Sequence, residues 1–80
     1  SRDPKMVLNE LRAKFKFDVR DHQKQIAEQR FEHHLSIVFP DEYLEVMPEL
    51  RCVTPVVRQA SSKKAAEGLA ARAILDQIGQ

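Results

Sequence analysis

The sequence predicts an α+β fold in the order helix, three strands, helix, with both helices packed on one face of a three-stranded antiparallel sheet. Apolar residues recur at three- and four-residue spacing near both ends of the chain, as in amphipathic helices. Between these segments, residues 31–39 alternate apolar and polar side chains, as a half-buried strand does. Because the predicted strands are joined by short loops, an antiparallel arrangement is the simplest.

Length and charge limit what the chain can be. Its 80 residues allow one modest core, and we expect residues 1–80 to be one domain of a longer protein, since they begin without Met. The net charge of +1 argues against general binding to polyanions. From Arg51 onward, however, five Lys or Arg residues stand against two acidic residues, so any contact with nucleic acid should involve this part of the chain.

Cysteine content and hydropathy bear on the compartment. The single Cys52 excludes an internal disulfide and favours a reducing, intracellular compartment. No apolar run is long enough to cross a membrane, so we expect no membrane partner.

The first helix is predicted to begin at Asp3, which can cap it, with Pro4 at the first helical position. The apolar residues that follow at helical spacing are Val7, Leu8, Leu11 and Phe15. The alternation of Phe15, Phe17 and Val19 then indicates the change to a first strand. The polar segment 21–29 is predicted to be a loop or the ragged end of that strand.

The second strand is the strongest strand signal and should end at Pro40. Within it, His33 lies on the same face of the strand as the alternating apolar residues and is predicted to be buried. His34 lies on the other face and should face solvent or a partner. Residues 41–49 form an acidic connection with room for one helical turn. Residues 50–58 are predicted to form a third strand that is an edge or is bulged at Pro55, which cannot donate to a ladder.

The last helix is predicted to run from a Ser61 or Ser62 cap through Ile78, with Gly79 as its stop. Lys63 and Lys64 lie at its N-terminus, where cations and open amide groups together suit phosphate; a solvated lysine pair is the alternative. The predicted core consists of Leu8, Leu11, Leu35, Ile37, Leu69, Ala70 and Ile74.

Two segments resemble the double-stranded-RNA-binding domain. Residues 62–75, with the pattern Ser-Lys-Lys-x-Ala followed by Ala-Ala and Leu, resemble the last helix of that family. The order Pro4, Val7, Leu8, Asn9, Glu10 resembles its first helix. The resemblance implies the same α-β-β-β-α fold and recognition of double-stranded RNA by shape and phosphates, without sequence specificity.

The resemblance also implies three contact regions. Asn9 and Glu10 match the first-helix face that lies in a minor groove and bonds 2′-hydroxyl groups. The loop between the first two strands lacks the family's Gly-Pro and His, and Arg30 or Gln29 is a candidate to replace them. In the third region, Lys63 and Lys64 match the lysines that span the major groove.

The third region also departs from the family. Glu67 stands where the family has another lysine, and its spacing allows it to pair with Lys63 or Lys64. The glycines that usually precede the motif are absent, and Arg58 in that stretch is a candidate for a further phosphate contact.

Two functions therefore remain open. One is an RNA-binding module appended to a helicase, nuclease or other RNA-processing protein, with catalysis outside these residues. The other is a protein-interaction or homodimerisation module of the same fold, using the third strand and the last helix. The three histidines and Cys52 lack metal-ligand spacing, so the sequence predicts no metal, no other cofactor and no catalytic residue.

Overall fold

The computed structural model describes residues 2–80 and confirms the predicted order of helix, three antiparallel strands and helix. Two short helices that follow the second strand add to it. The elements are α1 (Pro4–Phe15), β1 (Asp18–Ala27), β2 (Arg30–Val38), α2 (Asp41–Val46), a 3-10 helix (Pro48–Cys52), β3 (Val56–Ala60) and α3 (Lys63–Gln77).

The sheet has the order β1-β2-β3, so β2 is central and β3 lies at an edge. The edge position of the third strand agrees with the prediction from Pro55, which directly precedes it. The strand itself begins later than predicted. Residues 50–52 belong to the 3-10 helix instead, because Pro48 favours the first turn of a helix and Pro55 cannot pair within a ladder.

Strand β1 extends through most of the segment that was predicted to be a loop or the ragged end of the first strand. It pairs with β2 from Asp18↔Val38 to Ala27↔Arg30, with a register shift at Ile26 and a tight turn in which Gln29 has φ of 56°. The loop alternative is wrong, and the strand was hard to recognise because this part of β1 is polar on both faces and gives no alternation of apolar residues. Its ladder depends on backbone groups, which any sequence supplies.

Helix α3 packs across β2 and β3, and α1 packs against α3. Leu8 of α1 lies in the same buried cluster as Leu35 and Ile37 of the sheet, which brings both helices to one face. The buried cluster consists of Leu8, Phe17, Leu35, Ile37, Val56, Ala70, Ala71, Ile74 and Leu75, with Leu11 packed at its margin.

One predicted core residue, Leu69, is 49% exposed. It lies five residues before Ile74, which places it about 140° away around the helix. The buried arc of α3 is centred on Ala70, Ala71 and Ile74, and the alternative arc through Leu69 faces solvent. The alanine pattern predicted the helix correctly but not which side of it meets the sheet.

Both ends of α3 are capped. The side chain of Ser62 accepts a hydrogen bond from the Ala65 N–H group, which resolves the choice between the two serines. At the other end Gly79 has φ of 77°, and the N–H groups of Gly79 and Gln80 donate to the carbonyls of Asp76 and Leu75. This pair of hydrogen bonds is a Schellman motif, and it confirms the predicted end of the helix at Gly79. Within residues 2–80, no helix combines the length and the apolar character that crossing a membrane requires.

Candidate nucleic-acid interface

The first turn of α3 presents open hydrogen-bond donors. Ser62 satisfies the N–H groups of Ala65, through its hydroxyl, and of Ala66, through its carbonyl, each at 3.1 Å. The N–H groups of Lys63 and Lys64 are the remaining donors of that turn, because the first residues of a helix have no partner within it. Two amides and the positive end of the helix dipole therefore face outward together.

The two lysines of this turn are exposed. The ammonium of Lys63 lies 5.9 Å from the centroid of the Phe31 ring, a cation–π distance that places the side chain over the start of β2. Within residues 2–80, neither Lys63 nor Lys64 forms an ion pair. Both charges are accordingly available to an external anion.

Glu67 does not pair with Lys63 or Lys64 as its spacing suggested. Its carboxylate pairs with Lys5 of α1, at 3.7 Å between Oε2 and Nζ. The side chain points toward α1 because the two helices pack against each other. The acidic residue that departs from the lysine pattern therefore joins the two helices and leaves the lysines uncompensated.

The predicted contact residues of α1, Asn9 and Glu10, are both exposed. Asn9 borders a shallow cavity that Arg12 and Lys16 also line. Glu10 accepts a hydrogen bond from the guanidinium of Arg2, which occupies part of its carboxylate. Asn9 is thus the more accessible hydrogen-bonding group of the two.

The two predicted arginines lie on the sheet and are exposed. Arg30 begins β2 directly after the turn, next to Phe31, whose ring lies under the Lys63 ammonium. Arg58 is opposite His33 in the β2–β3 register, and its guanidinium donates to the Val57 carbonyl at 2.8 Å. In the described part of the chain, neither arginine forms an ion pair.

The structure brings two of the six predicted residues, Lys63 and Lys64, together in the first turn of α3. Phe31, near the start of β2, lies under the Lys63 ammonium, whereas Arg30 precedes it in the strand and therefore lies on the opposite face of the sheet. Asn9 and Glu10 are on α1, which the Lys5–Glu67 pair joins to α3.

A polar network beneath the start of α3 was missed by sequence reasoning. His33 is 3% exposed, as its parity predicted. Its Nε2 lies 3.1 Å from Asp21 Oδ2, and its Nδ1 lies 2.9 Å from Gln23 Nε2, which also donates to the Lys63 carbonyl at 2.9 Å. The Nε2 group of Gln23 can only donate, so Nδ1 of His33 accepts and the Nε2–H group of His33 donates to Asp21. The only signal in the sequence was that Asp21 and Gln23 are two residues apart, which places them on the same face if the segment is a strand.

The outer face of the sheet carries a second polar cluster. The rings of His22 and His34 stack with centroids 4.3 Å apart, so His34 is half-buried although it lies on the predicted surface. The hydrogen bond from His34 at 2.6 Å, that from Gln59 at 3.0 Å and the nearby Lys24 ammonium lower the pKa of Glu32 below its ordinary value of 4.5.

An apolar groove lies at the opposite end of α3, where α1, α2 and the 3-10 helix converge. Its volume is about 300 Å³. Its lining includes Leu11, Phe15, Phe17, Phe39, Tyr43 and Met47. The groove is lined mostly by aromatic and aliphatic side chains and does not contain any of the predicted RNA-contacting residues.

Comparison of the chain with models of protein families, with curated proteins and with solved structures gives no match. The function proposed below therefore depends on the residues of this chain itself.

Proposed function

We propose that the chain is a double-stranded-RNA-binding module that recognises duplex shape and phosphates without sequence specificity. The observation that carries the proposal is the first turn of α3, where Lys63 and Lys64 are exposed and unpaired beside two open amides. The module would serve a larger RNA-processing or RNA-remodelling protein, with any catalysis outside these residues.

The chemistry of this turn suits the phosphates along a groove. A helix N-terminus offers N–H donors and a positive dipole to an anion, and two ammonium groups add Coulomb attraction. Arg30, exposed where β2 begins, is a further cation that we assign to the contact with phosphates. Such a surface reads backbone geometry and carries no base-specific code, since phosphates are the same at every step.

Asn9 supplies a different kind of contact. Its carboxamide both donates and accepts, as does the 2′-hydroxyl that lines the minor groove of an RNA duplex. It is on an exposed face of α1, the helix that packs on α3. We therefore assign preference for RNA over DNA to Asn9, and to the part of the Glu10 carboxylate that Arg2 leaves accessible.

Fluorescence anisotropy with a duplex RNA longer than the family footprint of about 16 base pairs tests the proposal. The double variant Lys63→Ala/Lys64→Ala should weaken binding and lower the slope of log affinity against log salt by up to about two, one for each lost phosphate contact. The matched control is Lys14→Ala/Arg51→Ala, which removes the same charge from residues outside the proposed surface. Equal effects of the two double variants would contradict the proposed surface.

A protein-interaction function is the second candidate, favoured by the exposed edge of β3. Among residues 2–80, one side of that strand has no neighbouring strand, and Val57 within it is 44% exposed. An unpaired edge can extend a sheet into a second copy or a partner. Sedimentation of the wild type and of Val57→Lys tests this: a dimer that the variant dissociates, together with no duplex binding, would favour the second candidate.

A further inference from the structure

One imidazole and two carboxylates converge below the first turn of α3. They belong to Asp21 of β1, His33 of β2 and Glu67 of α3, and one ligand atom of each lies within 4.8 Å of the other two. The imidazole is 4% exposed, whereas the carboxylate side chains are 34% and 35% exposed. The cluster thus combines one fixed nitrogen with two adjustable oxygens that solvent can reach.

The spacing of these atoms is close to that of a coordination shell. Two ligands bound to Zn²⁺ at about 2.0–2.1 Å in tetrahedral geometry stand about 3.3 Å apart. Asp21 Oδ2 and His33 Nε2 are already 3.1 Å apart. Because all three atoms lie within 4.8 Å, the Glu67 carboxylate needs to move by about 1.5 Å at most to complete the same shell.

We propose that Asp21, His33 and Glu67 bind a divalent transition-metal ion such as Zn²⁺, with water in the remaining position. An imidazole with two carboxylates is a donor set that Zn²⁺ accepts, whereas Mg²⁺ and Ca²⁺ prefer oxygen ligands alone. The two carboxylates also match the charge of the ion. Sequence spacing could not indicate this site because each ligand comes from a different element.

Two contacts in the structure change when the ion binds. The Lys5 ammonium lies 3.7 Å from the Glu67 carboxylate and compensates its charge. The metal ion takes the place of this ammonium group beside Glu67. The His33 proton moves from Nε2 to Nδ1, since the metal takes the Nε2 lone pair and the imidazole stays neutral. The Nδ1–H group then requires an acceptor, which the Gln23 oxygen provides once that amide turns over.

Turning the amide has a consequence for α3. In the structure, Gln23 Nε2 donates to both His33 Nδ1 and the Lys63 carbonyl. An amide that presents its oxygen to Nδ1 loses the donor at Lys63. Binding of the ion therefore breaks the hydrogen bond between Gln23 of β1 and the Lys63 carbonyl of α3. It replaces that link with a new one between the same two elements, in which Asp21 and Glu67 bind the same ion.

Calorimetric titration with Zn²⁺ tests the site on the whole chain. Asp21→Asn, Glu67→Gln and His33→Gln should each weaken the dissociation constant at least about tenfold. His34→Gln is the matched control, because it removes an imidazole from the outer face of the sheet. The ¹⁵N shifts of the His33 ring should show metallation at Nε2. Mg²⁺ should give no comparable binding.

Gln23→Glu supplies a second, independent measurement. A carboxylate accepts the Nδ1–H bond better than an amide does, so this variant should bind Zn²⁺ more tightly, and Gln25→Glu, two residues along β1, should not. The proposal is overturned if the wild type shows no saturable Zn²⁺ binding, or if Asp21→Asn and Glu67→Gln bind as the wild type does. Loss of binding in His34→Gln would overturn it equally. The carboxylate variants keep the test valid if His33→Gln does not fold.

Discussion

The side-chain amide of Gln23 donates a 2.9 Å hydrogen bond to the main-chain carbonyl of Lys63, 40 residues along the chain. The same nitrogen lies 2.9 Å from Nδ1 of the buried His33. Through these two bonds, one polar residue of β1 fixes both the imidazole of β2 and the first turn of α3. The position of the lysine turn therefore depends on a part of β1 that was predicted to be either a loop or the ragged end of the first strand.

Gln23→Leu should lower the free energy of unfolding by about 1–3 kcal/mol, because it leaves the buried Nδ1 of His33 without a donor. Urea denaturation measures the change. Gln25→Leu is the control, since Gln25 lies two residues along the same strand and is exposed, and it should change stability by less than about 0.5 kcal/mol. Equal stability of Gln23→Leu and the wild type would contradict the network.

Ala70→Leu should destabilise the protein by about 1–3 kcal/mol, because the added atoms have no space between α3 and the sheet. Ala70 is 0% exposed within the core cluster. Thermal and urea unfolding measure the loss. Ala65→Leu makes the same change at an exposed position of the same helix and should leave stability nearly unchanged; a similar loss in both variants would argue against this packing.

Glu32→Gln should alter how stability depends on pH. The hydrogen bond from His34 is the main cause of the lowered pKa of Glu32. A carboxylate with a lowered pKa stabilises the folded state fully above its ordinary value of 4.5, and that contribution is lost as pH falls through the lowered value. The wild type should therefore exceed Glu32→Gln in melting temperature at pH 6, and the difference should shrink at pH 3. A difference independent of pH would contradict the assignment.

Glu67→Lys should raise affinity for duplex RNA at low salt, by about 1 kcal/mol, and steepen the salt dependence. The change removes the partner of Lys5 and adds a cation one turn from Lys63. Stability should fall slightly, because cations then crowd a helix N-terminus. Anisotropy at two salt concentrations, in the presence of a chelator, measures the effect.

The control for that variant is Asp76→Lys. It makes the same charge change at the opposite end of α3 and also removes an acidic partner, here of Arg72. It should leave RNA affinity nearly unchanged. If Glu67→Lys gives no gain at either salt concentration, the protein-interaction function becomes the better account.

Much of the fold followed from local patterns. Leu8 and Ile74 each belong to a series of apolar residues at helical spacing, one in α1 and one in α3. Leu35 and Ile37 belong to a strand-like alternation in β2. The principal elements and most of the core were therefore predicted correctly. The side of α3 that meets the sheet was not, because an alanine-rich helix offers several apolar arcs. Leu69 lies on the one that faces solvent.

The polar contacts were harder to predict than the core. The partners of His33, and the pairing of Glu67 with Lys5, depend on strand register and on how α1 packs against α3. Neither is encoded in the spacing of residues within one element. The lysine turn itself was evident, because the serine cap and the two cations are consecutive in sequence.

Titration of the ¹⁵N-labelled protein with a plain RNA duplex of about 20 base pairs, longer than the family footprint, tests the central claim most directly. At low salt, amide shifts should change at Lys63, Lys64 and Arg30 and along the exposed face of α1 around Asn9. The changes should weaken at moderate salt and be smaller with a DNA duplex of the same sequence. Unchanged shifts at Lys63 and Lys64 under low salt would contradict the proposed RNA-binding function.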